Sequence, residues 1–207
     1  MNRNLLDVYF IMGTQNSKKP LETLEKALQA GISCFQFREK GAGCLTGAAY
    51  EEFALACQKL CNAYNVPFIV NDDVELAIKI GADGIHVGQD DVPITEFKTL
   101  ATDKIVGVSV HNEQELDQAI RSGANYVGIG PIYPTKSKHD AKPPAGLDFL
   151  RVARMKYPDF PIVGIGGINE FNALDVRLSG ADGVAVISVI CESSDIQTTI
   201  QKLSKGK

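Results

Sequence analysis

The sequence predicts a single-domain α/β protein, a (β/α)8 TIM barrel with its active site at the C-terminal ends of the strands. Three observations support this prediction. Eight short runs rich in β-branched or aromatic residues alternate with amphipathic segments. A glycine-led motif recurs before several of these runs, and polar residues gather after most of them. Strands that alternate with helices pair in parallel through right-handed crossovers, and eight such units favour a closed barrel over an open sheet.

The first four units each consist of a short extended run and a segment in which apolar residues recur every three or four positions. The predicted strands and the helices that follow them are, in order, 8–12 with 21–30, 34–38 with 50–64, 68–70 with 74–80, and 85–87 with 94–100. The last four units repeat this pattern. They are 105–109 with 113–122, 126–129 with 147–157, 162–165 with 170–179, and 184–187 with 196–203.

An internal repeat supports the barrel. Its copies are Gly81-Ala82-Asp83-Gly84-Ile85, Gly123-Ala124-Asn125-Tyr126-Val127, Gly180-Ala181-Asp182-Gly183-Val184 and the looser Gly31-Ile32-Ser33-Cys34-Phe35. In this design Gly ends a helix in the left-handed conformation, Ala packs, and Asp or Asn turns the chain into the next strand. The copies lie at strand N-termini, the face of such a barrel that serves stability, so we interpret them as structural.

Composition limits the function classes. The chain has 207 residues, 44% hydrophobic and 22% charged, with a formal net charge of −4, and we expect one catalytic domain over 1–207. A mildly acidic chain without Trp has no bulk attraction for nucleic acid or anionic membranes. Five cysteines without a Cys-x-x-Cys pair favour a reducing compartment, and no signal-peptide core or membrane-spanning run is present, so we expect a cytoplasmic protein.

The second predicted strand runs into a charged segment at the rim where such barrels build active sites. Because side chains alternate in a strand, Gln36, Arg38 and Lys40 fall on one side and Glu39 on the other. An Arg fork and a Lys point charge suit a phosphorylated ligand. The alternative is a polar strand end whose charges point into water. Glu39 is interpreted as structural rather than catalytic.

Two aspartates follow the neighbouring third and fourth strands. Asp72 and Asp91 share the rim with Arg and Lys, which suggests magnesium held by one or two carboxylates, substrate phosphates and water. Helix capping is the first alternative, by Asp72 or Asp73 in one case and by Asp91 before Pro93 in the other. A general acid–base pair is the second. We expect one of the paired residues Asp72 and Asp73 to cap a helix.

The ends of the seventh and eighth strands carry a phosphate-binding pattern. Gly166-Gly167 and Ile187-Ser188 lie where backbone N–H groups of such barrels commonly hold a phosphate, with helix capping by Ser188 as the alternative. The basic segment 134–145 is typical of a lid or a binding loop, or of a solvated loop.

Three further polar residues follow or lie within the strands. Asn71 suits a hydrogen bond to a heterocycle or a phosphate, or an ordinary turn. A histidine within a strand, such as His86, is more often a hydrogen-bonded structural residue than a catalyst, and His111 has the same interpretation.

Taken together and in this order, these residues closely resemble the thiamine phosphate synthase family over essentially the whole chain. The motifs that carry the resemblance are Gln36-Phe37-Arg38-Glu39-Lys40-Gly41, Asn71-Asp72-Asp73, Gly84-Ile85-His86-Val87-Gly88-Gln89-Asp90-Asp91, Gly107-Val108-Ser109, Gly130-Pro131-Ile132-Tyr133-Pro134-Thr135 and Gly164-Ile165-Gly166-Gly167-Ile168. The family commonly shows Thr-x-Thr-Lys where this chain has Thr135-Lys136-Ser137-Lys138, and serine keeps the hydroxyl donor.

The resemblance implies condensation of 4-amino-5-hydroxymethyl-2-methylpyrimidine diphosphate with 4-methyl-5-(2-phosphoethyl)thiazole to thiamine monophosphate and diphosphate. The residues implied for the pyrimidine diphosphate are Gln36, Phe37, Arg38, Glu39, Lys40, Asn71, Ser109 and Lys138. Those implied for the thiazole phosphate are Thr135, Lys136, Ser137, Gly167, Ile187 and Ser188. Asp72 and Asp91 would hold one Mg²⁺ per subunit, and the residues expected to carry catalysis are Arg38, Lys40, Ser109 and Lys138.

This chemistry is consistent with the residues. Cationic groups and magnesium would neutralise the departing diphosphate, and the thiazole nitrogen needs no strong base, so a dissociative path through a pyrimidine cation fits. We expect Arg38 and Lys40 to form one wall of the site with the metal opposite. The alternatives are a thiazole tautomerase-like isomerase and a non-catalytic barrel that binds a phosphorylated metabolite. The partners expected are small phosphorylated heterocycles, and the oligomeric state stays open, with a homo-oligomer as one option.

Overall fold

The computed structural model describes residues 1–135 and 144–204. Eight parallel strands pair in chain order, and the eighth pairs with the first, which closes the sheet into a barrel. The strands are β1 Val8–Met12, β2 Cys34–Phe37, β3 Phe68–Asn71, β4 Gly84–Val87, β5 Ile105–Val110, β6 Tyr126–Ile129, β7 Ile162–Ile165 and β8 Gly183–Val186. The predicted TIM barrel is confirmed, and each strand begins and ends within one residue of its predicted bounds.

Helices connect the strands on the outside of the barrel. They are α1 Pro20–Gln29, α2 Gly47–Ala63, α3 Val74–Lys79, α4 Ile94–Phe97, α5 Glu113–Ser122, α6 Gly146–Lys156, α7 Ala173–Leu178, α8 Ser188–Cys191 and α9 Ile196–Leu203, with 3-10 turns at Arg3–Leu6 and Thr14–Asn16. Within the described residues, no helix combines the length and the apolar character that crossing a membrane requires.

The helix predictions are corrected at four places. α2 begins at Gly47 rather than 50, and α4 ends at Phe97 rather than 100. α7 begins at Ala173 rather than 170, because Asn169 Oδ1 accepts from the backbone N–H of Phe171 at 2.9 Å and holds the preceding residues in a turn. The short helix α8, which was not predicted, follows β8 directly. Its four residues are too few for a periodic pattern to be recognisable in the sequence.

The alternation of side chains along the strands produces two cores. On β1, Tyr9 and Ile11 face the barrel interior, where they join a small cluster that includes Tyr126. Phe10 faces outward into the larger cluster between the strands and the helices. Phe35 belongs to this outer layer too, with its ring centroid 5.7 Å from that of Phe10. The outer layer supplies most of the buried apolar surface, while the interior also accommodates polar side chains.

The internal repeat forms the same pair of hydrogen bonds four times. The glycines that open the copies, Gly31, Gly81, Gly123 and Gly180, all have positive φ, as predicted for helix ends. The polar residue two positions later then joins the preceding strand. Asp83 donates its N–H to the Phe68 carbonyl at 3.0 Å, and its carboxylate accepts from the Phe68 N–H at 2.8 Å.

The other three copies repeat this clasp, in which one residue both donates to and accepts from the first or second residue of the neighbouring strand. The pairs are Ser33 with Val8, Asn125 with Val106, and Asp182 with Ile162. Each clasp joins an odd-numbered strand to the even-numbered strand that follows it, at the N-terminal face of the barrel. The repeat is therefore structural, as the sequence indicated.

Replacing Asp182 should destabilise the fold strongly. Asp182 is 8% exposed, and its carboxylate accepts from the Ile162 N–H at 2.8 Å and from Arg154 Nη2 at 2.7 Å. Asp182→Ala leaves the buried Ile162 N–H and the partly buried Arg154 Nη2 without this partner, and we expect the free energy of unfolding to fall by about 3 kcal/mol. Urea denaturation followed by circular dichroism measures this. Asp159→Ala, which removes an exposed ion pair to Arg3, is the control and should cost less than about 0.5 kcal/mol. An equal fall in the free energy of unfolding in the two variants would show that the Asp182 clasp does not stabilise the fold.

Candidate active site

A large cavity of about 1370 Å³ opens at the C-terminal ends of the strands. Nine of the predicted site residues line it: Arg38, Lys40, Asn71, Asp72, Ser109, Thr135, Gly167, Ile187 and Ser188. These residues come from the ends of β2, β3, β5, β6, β7 and β8, so the barrel brings together positions that are far apart in the sequence. Lys136, Ser137 and Lys138 lie outside the described residues, and their predicted roles stay predictions.

Arg38 and Lys40 follow β2 at the cavity rim. The strand ends at Phe37, but the Arg38 N–H still donates to the Met12 carbonyl at 3.0 Å, so the segment stays attached to β1. Lys40 Nζ lies 2.7 Å from Asp72 Oδ2, and this hydrogen bond raises the pKa of the Lys40 ammonium. Lys40 and the predicted metal ligand Asp72 are therefore direct neighbours at the rim, and the position of a metal relative to the basic wall stays a prediction.

The three aspartates that were predicted as ligands or caps make different contacts in the structure. Asp73 is the cap of α3, and its carboxylate accepts from the Leu76 N–H at 2.8 Å. Asp72 instead points at Lys40, with a backbone φ of +63°, a left-handed conformation that is costly for a non-glycine residue and clusters at functional sites. Asp91 does not cap α4, since its carboxylate accepts from the Gly88 N–H at 2.7 Å.

The carboxyl groups of Asp72 and Asp91 form a hydrogen-bonded pair. Burial raises the pKa of Asp72, the hydrogen bond with Asp91 raises it further, and Lys40 opposes both. Burial also disfavours the charged form of Asp91, but the hydrogen bonds from Asp72 and the Gly88 N–H, together with the Lys40 charge, hold its pKa below the usual range. Two carboxylates forced together in this way share a proton or attract a cation.

This pair fits a hard divalent cation that takes only part of its coordination from the protein. Among residues 1–135 and 144–204, no group of three or more His, Cys, Asp or Glu residues is arranged to hold a metal ion. Mg²⁺ usually binds through one or two carboxylates and completes its shell with phosphate oxygens and water. Asp72 and Asp91 provide that donor set.

Gln36 does not line the large cavity. Its side chain is 2% exposed inside the barrel, and its Nε2 donates to the Tyr9 hydroxyl at 3.0 Å. From there a chain of hydrogen bonds continues through Tyr126 and His86 to Ser109, which does line the cavity. His86 is hydrogen-bonded to side chains of β5 and β6, which agrees with its interpretation as a hydrogen-bonded residue. Tyr9 and Tyr126 were not predicted, and the available signal was a Tyr at an inward position on each of two strands.

The side chains of Phe37 and Glu39 are directed away from the cavity. Phe37 is 1% exposed, with its ring centroid 5.4 Å from that of Tyr50 in the outer core. The Glu39 carboxylate accepts from the backbone N–H groups of Thr14 and Leu45 at 2.7 and 2.8 Å, which ties the loop after β1 to the loop after β2. Neither side chain therefore reaches the cavity, the part of these two residues in binding the pyrimidine diphosphate stays a prediction, and Glu39 makes the structural contacts inferred for it.

The loops after β7 and β8 form the other end of the cavity. Gly166 and Gly167 both have positive φ, and a Cβ on Gly167 would lie 2.6 Å from the Pro134 carbonyl oxygen. Glycine is therefore required where the loops after β6 and β7 pack together. Ser188 is the first residue of α8 rather than its cap, because Ile187 occupies the N-cap position. This end of the cavity is lined by closely approaching backbone.

His111 also lines the cavity, close to the end of β5. Its Nδ1 lies 2.8 Å from Glu115 Oε2, and its backbone N–H donates to the same oxygen at 2.7 Å. His111 was expected to be a hydrogen-bonded structural residue, and its partner Glu115 was not predicted, although a spacing of four residues at a helix start is a recognisable signal.

The rim cavity, its two cations beside Asp72, and its glycine-rich loop are typical of a class, namely TIM-barrel enzymes that act on phosphorylated small molecules. Asp91 contacts Asp72 but does not itself line the cavity. Within that class, the chain belongs to the thiamine monophosphate synthase family, whose model matches residues 8–190.

Individual relatives agree with this assignment. The chain is 57% identical over 202 residues to a thiamine-phosphate synthase from Lysinibacillus sphaericus, with 97% of this chain and 95% of the relative covered. It is 55% identical over 202 residues to one from Geobacillus kaustophilus, with 97% and 91% covered. Among solved structures it is similar to a thiamine phosphate pyrophosphorylase from Pyrococcus furiosus, with a TM-score of 0.86, 34% identity, and 97% and 95% of the two chains covered.

Removing one member of the carboxylate pair should change the other. In metal-free protein, Asp91→Asn removes the neighbouring charge that raises the pKa of Asp72, so we expect that pKa to fall. Carboxyl ¹³C NMR across a pH titration measures it. Asp90→Asn, which removes an adjacent exposed charge, is the control and should move the pKa of Asp72 much less. An unchanged Asp72 titration in the Asp91 variant would show that the two groups are not coupled.

Proposed function

We propose that this protein is a thiamine phosphate synthase that requires Mg²⁺. It joins 4-amino-5-hydroxymethyl-2-methylpyrimidine diphosphate to 4-methyl-5-(2-phosphoethyl)thiazole and releases diphosphate with thiamine monophosphate. The observation that carries the proposal is the contact between Lys40 and the Asp72–Asp91 pair at the rim of a family member's cavity. A cation beside a metal-type carboxylate pair suits a diphosphate whose charge increases as it departs.

The pyrimidine diphosphate would lie at the β2–β5 side of the cavity. Arg38 offers a planar fork for phosphate oxygens and Lys40 a compact charge. Asn71 and Ser109 add neutral hydrogen-bonding groups at the same rim. Lys138, outside the described residues, is proposed as a further cation on this substrate. These groups would hold the diphosphate and stabilise the charge that develops on it.

Asp72 and Asp91 would bind the Mg²⁺. When bound there, the ion supplies positive charge that neutralises the diphosphate as it leaves. The protein's own contribution is to hold the two carboxylates together at the rim, with Lys40 beside them. The left-handed backbone at Asp72 and the bond from the Gly88 N–H to Asp91 fix this arrangement before a ligand arrives.

The thiazole phosphate would occupy the opposite end. Thr135, Gly167, Ile187 and Ser188 line it, with Lys136 and Ser137 proposed from outside the described residues. Backbone N–H groups near glycines and a serine hydroxyl are suitable donors to a phosphate. The thiazole nitrogen carries a free lone pair, so it needs no base to attack the pyrimidine methylene. We propose a dissociative path in which the aminopyrimidine stabilises the cation left after diphosphate departs.

The direct test is to incubate the purified protein with both substrates and Mg²⁺ and to measure thiamine monophosphate. Product formation supports the proposal. Isomerisation of a thiazole without condensation would instead indicate a tautomerase-like enzyme. Binding of a phosphorylated ligand without turnover would indicate a non-catalytic barrel, and either result would overturn the proposed reaction.

Arg38→Ala should lower kcat by roughly 10²–10³, the scale of losing one preorganised donor to developing charge. Steady-state turnover with both substrates saturating measures this. Arg121→Ala, on the outer surface of α5, is the matched control and should keep wild-type kcat. If the Arg38 variant also keeps wild-type turnover, Arg38 does not bind the diphosphate.

Asp72→Asn should weaken the Mg²⁺ dependence, because an amide replaces an anionic ligand. We expect the Mg²⁺ concentration at half-maximal rate to rise by roughly tenfold or more. Asp73→Asn removes the adjacent charge but keeps an oxygen that can cap α3, so its half-saturation point should match the wild type. A wild-type titration curve for the Asp72 variant would exclude Asp72 as a ligand.

A further inference from the structure

A continuous chain of hydrogen bonds crosses the barrel interior and ends at the cavity. Gln36 Nε2 lies 3.0 Å from Tyr9 Oη, and Tyr9 Oη lies 2.7 Å from Tyr126 Oη. Tyr126 Oη lies 2.9 Å from His86 Nδ1, and His86 Nε2 lies 2.9 Å from Ser109 Oγ. The first four side chains are between 1% and 7% exposed. Polar groups this deep are costly unless they are hydrogen-bonded, so the chain is a built feature of the core.

The direction of the chain follows from its first member. The amide nitrogen of Gln36 can only donate, so the Tyr9 oxygen accepts and the Tyr9 proton is available for Tyr126. Cys34 also lies against Tyr9, but a thiol sulfur is a weaker acceptor than a phenol oxygen. Tyr126 then donates to His86 Nδ1, which places the imidazole proton on Nε2.

The bond between His86 and Ser109 determines which hydrogen-bonding group of Ser109 faces the cavity. His86 Nε2–H donates to Ser109 Oγ, so the Ser109 hydroxyl proton is left to point elsewhere, and Ser109 lines the cavity. In the reverse direction, Tyr9 would accept twice and Ser109 would donate back to His86. Of these two arrangements of a neutral His86, only the forward one leaves a hydrogen-bond donor facing the ligand.

The packing holds this chain in place. A Cβ on Gly107 would lie 2.2 Å from Tyr126 Cζ, so the Tyr126 ring occupies space that only glycine leaves open. The rings of Tyr126 and His86 also pack at a centroid distance of 5.5 Å. Gly107 therefore has a specific role, because it admits the tyrosine that bonds His86.

We propose that Tyr126 and His86 are positioning residues that fix Ser109 as a hydrogen-bond donor to the pyrimidine substrate. The group that accepts this bond is a ring nitrogen or a diphosphate oxygen. The substrate assignment rests on the proposed function, whereas the tautomer of His86 and the direction of the chain do not. Gln36 and Tyr9 favour this direction, but the His86 tautomer depends on Tyr126, the only one of the three that bonds His86.

The tautomer is tested on the wild-type protein without substrates. The chain has three histidines, so ring ¹⁵N signals assign readily with His111→Asn as an aid. We expect two-bond ¹H–¹⁵N correlations to show a neutral His86 with Nε2 protonated and Nδ1 unprotonated at pH 7.5. An Nδ1–H tautomer or an imidazolium would overturn the proposal. This measurement is independent of enzymatic activity, so it separates failure of this inference from failure of the proposed function.

Kinetics test the role. Tyr126→Phe removes the donor to His86, and we expect the KM for the pyrimidine diphosphate to rise roughly tenfold, the scale on which an outer hydrogen-bond partner acts. The KM for the thiazole phosphate should change less than about twofold. Tyr9→Phe removes the other hydroxyl of the same 2.7 Å pair but leaves Tyr126 able to donate to His86, so its effect should stay below about threefold.

Tyr157→Phe, which removes a hydroxyl bonded to Asp117 outside the barrel, is the control and should match the wild type. If the KM for the pyrimidine diphosphate rises equally in the Tyr9 and Tyr126 variants at equal melting temperatures, the hydrogen-bonded chain has only a structural role, and the proposal is overturned. Two competitors identify the accepting group: inorganic diphosphate carries only the diphosphate oxygens, and the unphosphorylated aminopyrimidine alcohol carries only the ring nitrogens. Ser109→Ala should weaken the binding of the competitor that carries the accepting group and leave the binding of the other unchanged. Undiminished binding of both competitors to that variant would also overturn the proposal.

Discussion

Closure of the parallel barrel is the constraint on which the rest of the structure depends. Since β8 pairs with β1, every strand has two neighbours and all eight C-terminal ends meet at one rim. The four clasps made by Ser33, Asp83, Asn125 and Asp182 join the strands in pairs at the opposite face. Stability and chemistry are thus placed at different ends, which leaves the rim residues free to be polar.

The same closure makes the interior narrow enough for inward side chains from distant strands to touch. The hydroxyl oxygens of Tyr9 on β1 and Tyr126 on β6 lie 2.7 Å apart there. The Asp72 N–H donates to the His86 carbonyl at 2.8 Å, so the candidate metal ligand and the buried polar chain share one attachment between β3 and β4.

Local sequence patterns were sufficient for the elements and for most of the rim. The strands were predicted to within one residue, because β-branched runs, helix-ending glycines and turn aspartates act over a few positions. The resemblance then indicated residues such as Arg38, Asp72 and Ser109, which the barrel does bring to one cavity. The helices were predicted less accurately. The start of α7 was misplaced because a side-chain bond in the preceding turn decides it, and α8 was missed because four residues leave no periodic signal.

The sequence by itself therefore determined the fold class, the repeat and the polar character of the rim. Only the tertiary structure decided how those polar groups pair. It placed Gln36 in the core rather than at the rim, turned Phe37 into the outer layer, and set Lys40 against Asp72. The reason is physical: alternation along a strand gives a side chain's face, but its partner depends on the stagger of neighbouring strands, which exists only once the barrel is closed.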